Sequence, residues 1–187
     1  EIQNSGDLNP GAITLEAWIY INGSLGDHPM IISKDYYWFK VDNDRKLWFC
    51  IGANGGNRIV VSNTALNTNQ WYHVAATYDG NGSMKIYING YERGYRNESP
   101  LQISYTNLPF RIGRASISDP NAKAYFPGYI QHVRVSNIAR TDFSYARIDI
   151  QPSLAAGLQQ TVPVAGNPDL VVQSLNTYPN PGGGVLV

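Results

Sequence analysis

The sequence predicts an all-β protein whose antiparallel strands form a sandwich or a barrel. Apolar residues alternate with polar ones along many short segments, which is the spacing of strands that bury one face. Turn-forming Gly, Asn, Asp and Pro residues separate these segments, and strands do not alternate with long helices as a parallel sheet requires. With 187 residues, 43% of them hydrophobic, the chain is long enough for one such domain with a sizeable core.

The first half of the chain predicts five strands. In the first of them, alternate apolar residues from Ile13 to Ile21 share one face. The Asn- and Asp-rich residues 42–45 predict a hairpin turn between the third and fourth strands. The five predicted strands are Ile13–Ile21, Met30–Ile32, Tyr36–Val41, Lys46–Ile51 and Arg58–Ser62.

The second half begins with the clearest hairpin, in which Trp71–Tyr78 and Met84–Ile88 flank a Gly- and Asn-rich turn. Further strands are predicted at Phe110–Gly113 and Tyr129–Ser136, and a short helix near Thr141–Arg147. Beyond residue 152 the composition becomes small, polar and proline-containing. Residues 153–187 therefore predict a linker, an extended arm or the start of a following β domain. The arm carries two groups of apolar β-formers: Leu170, Val171 and Val172, then Val185, Leu186 and Val187.

The charge balance narrows the classes of partner. Fourteen Lys and Arg residues match fourteen Asp and Glu residues, so the formal net charge is zero. Nucleic acids and anionic membranes attract proteins with a basic field, so we expect neither as a partner. No apolar stretch is long enough to predict a membrane-spanning helix, and no membrane insertion is expected. Cys50 is the only cysteine, which excludes an intrachain disulfide and favours a buried, inert thiol.

Three motifs occur in an order that resembles a known family. The first is Leu15–Trp18 in the first strand. The second lies in the hairpin, where residues 70–80 read QWYHVAATYDG and residues 85–90 read KIYING. The third spans residues 126–140. Together they resemble laminin-G-like jelly rolls of the concanavalin A-like lectin/glucanase superfamily. The resemblance implies an antiparallel β-sandwich with jelly-roll topology over residues 1–152. It also implies that the chain begins after the family's usual first strand, which would leave a sheet edge exposed.

The closing strand departs from the family at two positions that concern metal binding. The family usually carries an acidic pair there, whereas this chain has Gln131 and His132. Calcium prefers anionic oxygen ligands, so this departure disfavours a calcium site of the family type, and no cofactor is required. Asp119 is a candidate calcium ligand from a loop, although a turn-forming role explains it too. Strict alternation predicts that Gln131 and Val133 face the same way.

The tail supports a second, shorter resemblance. Residues 168–175 and 182–187 are similar to the opening of CARDB-type domains, which accompany bacterial and archaeal surface adhesins. This resemblance implies that the chain is one piece of a longer, multi-domain surface protein.

The sequence gives little support for an enzyme, so we expect no catalytic residues. Hydrolases of the superfamily place carboxylates in a Glu-X-Asp-X-X-Glu pattern, which the four glutamates do not form. Residues 125–132 resemble the Tyr- and Gln-bearing strand of jelly-roll alginate lyases, but the accompanying Arg and Gln-X-His strands are not found. The three histidines are not spaced as metal ligands, and His73 is expected to pack or to form a cross-strand hydrogen bond.

The 13 tyrosines and 4 tryptophans are the feature most typical of a binding protein. Aromatic rings beside amides contact sugars by stacking and hydrogen bonding. Trp18, Trp48 and Trp71 occupy strand positions expected in the core. Tyrosines nearer to loops are the candidate ligand-binding residues, although each also has a structural explanation: Tyr36, Tyr37, Tyr91, Tyr95 and Tyr125.

The sequence therefore predicts a non-catalytic recognition or adhesion module, secreted or on the cell surface, that binds glycans or surface proteins. Asn22, Asn81 and Asn97 begin Asn-X-Ser triplets in predicted turns and are candidate glycosylation sites. The first alternative is a structural subunit of an extracellular filament or layer, which self-associates when the C-terminal arm adds a strand to a neighbouring copy. A polysaccharide lyase or hydrolase is the second alternative.

Overall fold

The computed structural model describes residues 1–26, 29–53, 56–115 and 125–147, together with the backbone of residues 170–171. Two antiparallel sheets pack face to face, which confirms the predicted sandwich. One sheet has the strand order β11-β10-β1-β6-β7-β8 and the other β5-β4-β3-β2-β9. The strands are β1 Ile13–Ile21, β2 Met30–Lys34, β3 Tyr37–Val41, β4 Lys46–Ala53, β5 Gly56–Ala65, β6 Trp71–Tyr78, β7 Ser83–Ile88, β8 Tyr91–Asn97, β9 Arg111–Ile112, β10 Gly128–Ser136 and β11 Leu170–Val171.

The core lies between the sheets and is formed by the alternate apolar residues that the periodicity predicts. The five alternate apolar residues of β1, from Ile13 to Ile21, are fully buried. Across the interface, the rings of Phe39 and Phe49 meet edge to face with centroids 6.3 Å apart. Fully burying one such side chain stabilises the fold by roughly 1.5–3 kcal/mol. Cys50 is buried as expected, and this burial raises the pKa of its thiol to about 12.

Strand β8 was not predicted, because its sequence YERGYRN lacks an apolar alternation. It forms because β7 supplies a pairing partner and because Asn89 and Gly90, both with positive φ, make the tight turn between the two strands. Gly94 of β8 passes so close to β5 that a Cβ at this position would lie 2.8 Å from the carbonyl oxygen of Val61. The two sheets therefore approach each other closely at this edge.

The prediction that β10 alternates strictly is wrong. Ile130, Val133 and Val135 are all buried, while Gln131 is half-buried and His132 exposed. Pairing with β1 shifts register at this point, and His132 adopts a φ of 50°. The extra residue is a β-bulge, which brings two apolar residues three positions apart onto the same face.

The tryptophans also differ from expectation. Trp18 and Trp48 are half-buried on the outer sides of their strands rather than in the core. Trp71 is buried, yet its ring packs against Tyr20 and Tyr129 outside the main core. Each lies one residue from a core position, so the alternation of the strand places it on the opposite face.

Two segments lie at sheet edges. Near the N-terminus, Ile2 forms an antiparallel bridge with Phe110 beside β9. At the other sheet, β11 pairs with β10, with Leu170 opposite Val135 and Val171 opposite Arg134. The short predicted helix is a 3₁₀ helix over Ser144–Arg147. Among the described residues, no helix has the length and apolar character needed to span a membrane.

Candidate functional site

An open groove of about 690 Å³ lies at one end of the five-stranded sheet. It forms where the turn between β2 and β3, the end of β4 and the segment after β8 converge. Two tyrosines line it, Tyr36 from the turn and Tyr105 from the segment, and Gln102 adds an amide. Tyr105 is 63% exposed, so most of its ring is available to a ligand. We call this site the tyrosine groove.

The segment that carries Tyr105 is held in place at three points. The Tyr78 hydroxyl bonds to both the backbone nitrogen and the carbonyl oxygen of Leu101, at 2.8 and 2.6 Å. Ile103 is buried in the core. The backbone nitrogen of Ser104 donates to the carbonyl oxygen of Gly52 at 3.0 Å. Tyr105 is therefore exposed on an anchored segment, which limits the ordering cost of binding.

Gly52 precedes Ala53, which lines the groove. Its backbone nitrogen donates to the carbonyl oxygen of Tyr36 at 2.6 Å. A Cβ at this position would lie 2.6 Å from the amide oxygen of Asn57 and 3.4 Å from the Tyr36 ring. The absence of a side chain at Gly52 thus lets an amide and an aromatic ring come together beside the groove.

Tyr37 is not a surface residue, so its prediction as a ligand-binding residue is wrong. It is 2% exposed, and its hydroxyl donates to the carbonyl oxygen of Leu8 at 2.9 Å. Burial raises the pKa of this phenol above its ordinary value. Because successive side chains of a strand point to opposite sides, only one of the neighbouring Tyr36 and Tyr37 can reach the groove.

The other predicted tyrosines are exposed but lie apart from the groove. Tyr91 and Tyr95 belong to β8. Tyr125 is 66% exposed, and the guanidinium carbon of Arg114 lies 5.9 Å from its ring centre. The structure therefore does not gather the five predicted tyrosines into one site.

A polar cluster lies on the outer side of the six-stranded sheet, where residues 138–147 cover the buried Glu16 and His73. Its centre is Glu16, which is 6% exposed. Arg140 donates to Glu16 Oε2 at 2.7 Å, and the Tyr145 hydroxyl donates to Glu16 Oε1. His73 Nε2 lies 3.4 Å from Oε1 and 3.3 Å from the Tyr145 hydroxyl oxygen. We call these four residues the Glu16 cluster.

The pKa of Glu16 reflects opposing influences. Burial alone raises it, because the charged form is desolvated. Hydrogen bonding and charge from His73, a hydrogen bond from Tyr145 and the charge of Arg140 outweigh burial, so the pKa of Glu16 lies below its ordinary value. Burial and the neighbouring Glu16 carboxylate raise the pKa of Tyr145. Glu16 is thus an anion that accepts hydrogen bonds from Arg140 and Tyr145.

The Glu16 cluster fastens the covering segment to the sheet. The Thr14 hydroxyl donates to the carbonyl oxygen of Ile138 and accepts from the backbone nitrogen of Arg140, at 2.6 and 2.9 Å. The Phe143 ring packs on Tyr87 with centroids 4.6 Å apart. His73 is 1% exposed under this cover, so no substrate reaches its ring without displacement of the segment.

Sequence reasoning missed two residues of these sites, Tyr105 of the tyrosine groove and Tyr145 of the Glu16 cluster. Tyr105 ends the alternation of apolar and polar residues Leu-Gln-Ile-Ser-Tyr at residues 101–105. This pattern could have indicated that Tyr105 belongs to a segment anchored along one side. Tyr145 contacts Glu16, a residue 129 positions earlier, and no local pattern signals that contact.

Several predictions fall outside the described residues. Asp119 lies in the undescribed segment 116–124, and the described residues contain no group of three or more His, Cys, Asp or Glu side chains placed for a metal. Of the arm, only the backbone of Leu170 and Val171 is described, so the CARDB-like tail and the boundary at residue 152 stay predictions. Asn22, Asn81 and Asn97 are exposed, and their glycosylation stays a prediction.

Comparisons with solved structures identify the same architecture elsewhere. A Bacteroides ovatus protein to which carbohydrate binding is ascribed shares 26% identity, with a TM-score of 0.60 over 73% of this chain and 40% of that one. Domain 4 of a GH43 extracellular arabinanase from Geobacillus stearothermophilus, solved with arabinotriose, shares 20% identity, with a TM-score of 0.57 over 74% of this chain and 66% of that one. A heptameric SAP-like pentraxin from Limulus polyphemus shares 20%, with a TM-score of 0.54 and coverages of 74% and 69%.

At 20% identity the last two likenesses show the fold alone, and this chain spans less than half of the Bacteroides protein. No curated protein is similar enough to this chain to count as a match. The family model described as the concanavalin A-like lectin/glucanases superfamily, of laminin-G type, matches residues 1–143. With the two-sheet sandwich and the three sequence motifs, this match shows that the chain belongs to the laminin-G-like family of the concanavalin A-like superfamily.

Proposed function

We propose that this chain is a non-catalytic carbohydrate-recognition module of a secreted or cell-surface protein, and that the tyrosine groove is its glycan-binding site. The observation that carries this proposal is the pairing of Tyr36 and Tyr105 with the Gln102 amide in one open groove. Aromatic rings stack on the apolar faces of sugars, and amides hydrogen-bond to their hydroxyl groups. The carbohydrate binding ascribed to the Bacteroides protein is consistent with this assignment.

The pairing of the glutamates supports a non-catalytic role. Glycoside hydrolysis needs a carboxylic acid with a raised pKa beside a second carboxylate. Each of the four glutamates instead has a cationic partner: Glu1 with Arg111, Glu16 with Arg140, Glu92 with Lys85, and Glu98 with Arg58 and Arg96. At Glu16 the surrounding contacts hold the pKa below its ordinary value, which opposes a role as general acid.

The Glu16 cluster resembles the Tyr, His and Arg set of a polysaccharide lyase in composition, but its geometry supports a structural role. A lyase needs a cationic group free to neutralise the carboxylate of a uronic sugar. In this cluster Arg140 is bonded to Glu16, and His73 is covered. The cluster therefore lacks an open position for a sugar.

Alanine substitution at Tyr36 or Tyr105 tests the groove. Each stacking ring contributes about 0.5–1.5 kcal/mol, so each variant should bind a glycan roughly threefold to tenfold more weakly. Calorimetric titration with arabinotriose, xylo-, cello- and laminari-oligosaccharides measures this, and assays for new reducing or unsaturated ends in the same mixtures report any catalysis. Tyr125→Ala removes an equally exposed tyrosine elsewhere and should leave affinity unchanged.

Equal affinities in the wild type and both groove variants would contradict the assignment of the site. If none of these neutral glycans bound, the assignment of the groove to neutral sugars would be wrong and a surface protein would become its better partner. New reducing or unsaturated ends would overturn the non-catalytic role.

We also propose, as an alternative role, self-association by strand addition at the β10 edge. The pairing of Leu170 and Val171 with β10 supports it, because main-chain hydrogen bonds at a sheet edge accept a strand from the same chain or from a neighbour. Deleting residues 161–187, or replacing Val171 with proline to remove its backbone donor, should abolish assemblies seen by sedimentation. Unchanged assembly and thermal stability in the deletion variant would exclude this role.

A further inference from the structure

At the turn between β7 and β8, two arginines lie near the ring of one tyrosine, apart from the tyrosine groove. Tyr91 is 48% exposed. The guanidinium carbon of Arg147 lies 4.9 Å from its ring centre and that of Arg93 lies 5.3 Å from it. Both distances are within the range of a cation–π interaction. We call these three residues the arginine–tyrosine clamp.

The fold brings Arg147 to this turn through Gly90. This glycine has a φ of 74°, and a Cβ on it would lie 2.4 Å from the carbonyl oxygen of Phe143 and 2.8 Å from Arg147 Cγ. The 3₁₀ helix Ser144–Arg147 can therefore rest directly on the turn. Arg147 Nε then donates to the carbonyl oxygen of Gly90 at 3.1 Å, which orients the guanidinium over the ring.

The charges of the clamp are not neutralised by direct pairing. In the described part of the chain, neither Arg93 nor Arg147 has a carboxylate oxygen within 4.0 Å. The hydrogen bonds they make go to backbone carbonyls, that of Glu92 for Arg93 at 3.4 Å and that of Gly90 for Arg147. By contrast, four other arginines each bind a glutamate: Arg58, Arg96, Arg111 and Arg140.

Two neighbouring groups define the surroundings of the clamp. Asp142 is the nearby anion: hydrogen bonds from Ser144, then the charges of Arg147 and Arg140, hold the pKa of its carboxyl below the ordinary value. Further along β8, Tyr95 is exposed and the Lys85 ammonium lies 5.5 Å from its ring centre. Lys85 is already paired with Glu92 at 2.9 Å, so the available positive charge belongs to the two arginines.

We propose that the arginine–tyrosine clamp binds an acidic polysaccharide, whose carboxylate or sulfate groups pair with Arg93 and Arg147. Planar guanidinium groups take such oxyanions in a bidentate manner, and exposed tyrosines contact the sugar rings that bear them. A polymer fits better than a single ion, because two guanidinium groups at one ring can engage successive charged sugars. This proposal does not rest on the tyrosine groove.

Affinity electrophoresis of the whole chain tests the proposal with four probes. Polygalacturonate offers carboxylates on sugars, dextran sulfate offers sulfates, polyglutamate offers carboxylates on a peptide, and dextran offers none of these groups. We expect retardation by one or both acidic polysaccharides and none by dextran. The variant R93Q/R147Q should bind at least tenfold more weakly to the acidic polymer, since both charge-assisted contacts are lost.

The matched control is R45Q/K46Q, which removes the same formal charge from the turn between β3 and β4. It should keep the retardation, because Arg45 and Lys46 lie at a turn of the five-stranded sheet and not at the clamp. Thermal unfolding curves confirm that each variant is folded. A further variant, Arg147→Lys, keeps the positive charge but loses the bidentate contact.

Four outcomes would contradict the proposal for the clamp. R93Q/R147Q could bind as the wild type does, both double variants could lose binding equally, or dextran could retard the protein as strongly as the acidic polymers. Tighter binding of polyglutamate than of either acidic polysaccharide would assign the clamp to an acidic peptide and would also contradict the proposal.

Discussion

Replacing Glu16 with alanine should destabilise the fold by about 3 kcal/mol, because it leaves Arg140 and His73 facing the place of a lost buried anion. The carboxylate is 7% exposed, so water cannot easily replace it. Urea unfolding of the wild type and the variant measures the difference. Loss of this contact should also release residues 138–147 from the sheet, which faster hydrogen exchange of their backbone amides would report.

The matched control is Glu92→Ala. Glu92 forms an ion pair with Lys85 at 2.9 Å, but both side chains are at least one-third exposed. Pairs of this kind contribute about 0–1 kcal/mol. Equal effects of the two alanine substitutions would show that the Glu16 cluster does not hold the covering segment.

The Glu16 contribution should depend on pH in a defined direction. Its pKa in the fold lies below the ordinary value of 4.5, so the stabilisation is fully present above that value. It is lost as the pH falls through the lower pKa of the folded state, because the carboxylate is then protonated. The stability difference between the wild type and Glu16→Gln should therefore shrink below pH 4.5. A difference that grew on acidification would contradict the lowered pKa.

Tyr37→Ala should destabilise the protein by about 3–5 kcal/mol, as is typical when a buried aromatic side chain is truncated. Tyr37 is 2% exposed and also supplies a hydrogen bond to the carbonyl oxygen of Leu8. Tyr37→Phe removes only that bond and should cost about 1 kcal/mol. Thermal or urea unfolding of both variants measures these effects.

The neighbouring Tyr36→Ala is the natural comparison. Tyr36 is half-buried at the groove, so its truncation should cost no more than about 1 kcal/mol while weakening glycan binding. If Tyr37→Ala were as mild as Tyr36→Ala, the separation of the two tyrosines between core and groove would be wrong.

The two adjacent tyrosines also show the limit of sequence reasoning. The run Tyr36–Phe39 must place aromatics on both sides of a strand, but the sequence does not state which tyrosine is buried. The choice depends on the register of β3 with β2 and β4, where Tyr37 pairs with Lys34 and Ile51. One residue of slip would exchange the two roles.

What the sequence determined by itself is the architecture. The alternation in Ile13–Ile21, the turn residues between strands and the three family motifs each depend on local spacing, and they predicted nine of the strands within a few residues. Local spacing also identified the hairpin from Trp71 to Ile88 and the buried, inert Cys50. These features follow from the period of two in a strand and from the chemistry of turns.

Only the tertiary structure decided which side chains meet. Tyr105 joins Tyr36 across 69 positions, and Tyr145 reaches Glu16 across 129. The bulge at His132 and the contact of Gly90 with Phe143 depend in the same way on the packing of distant strands and turns. The periodicity of a sequence records which side of a strand is buried, whereas the partners on each side are determined by the register and packing between elements far apart in the chain.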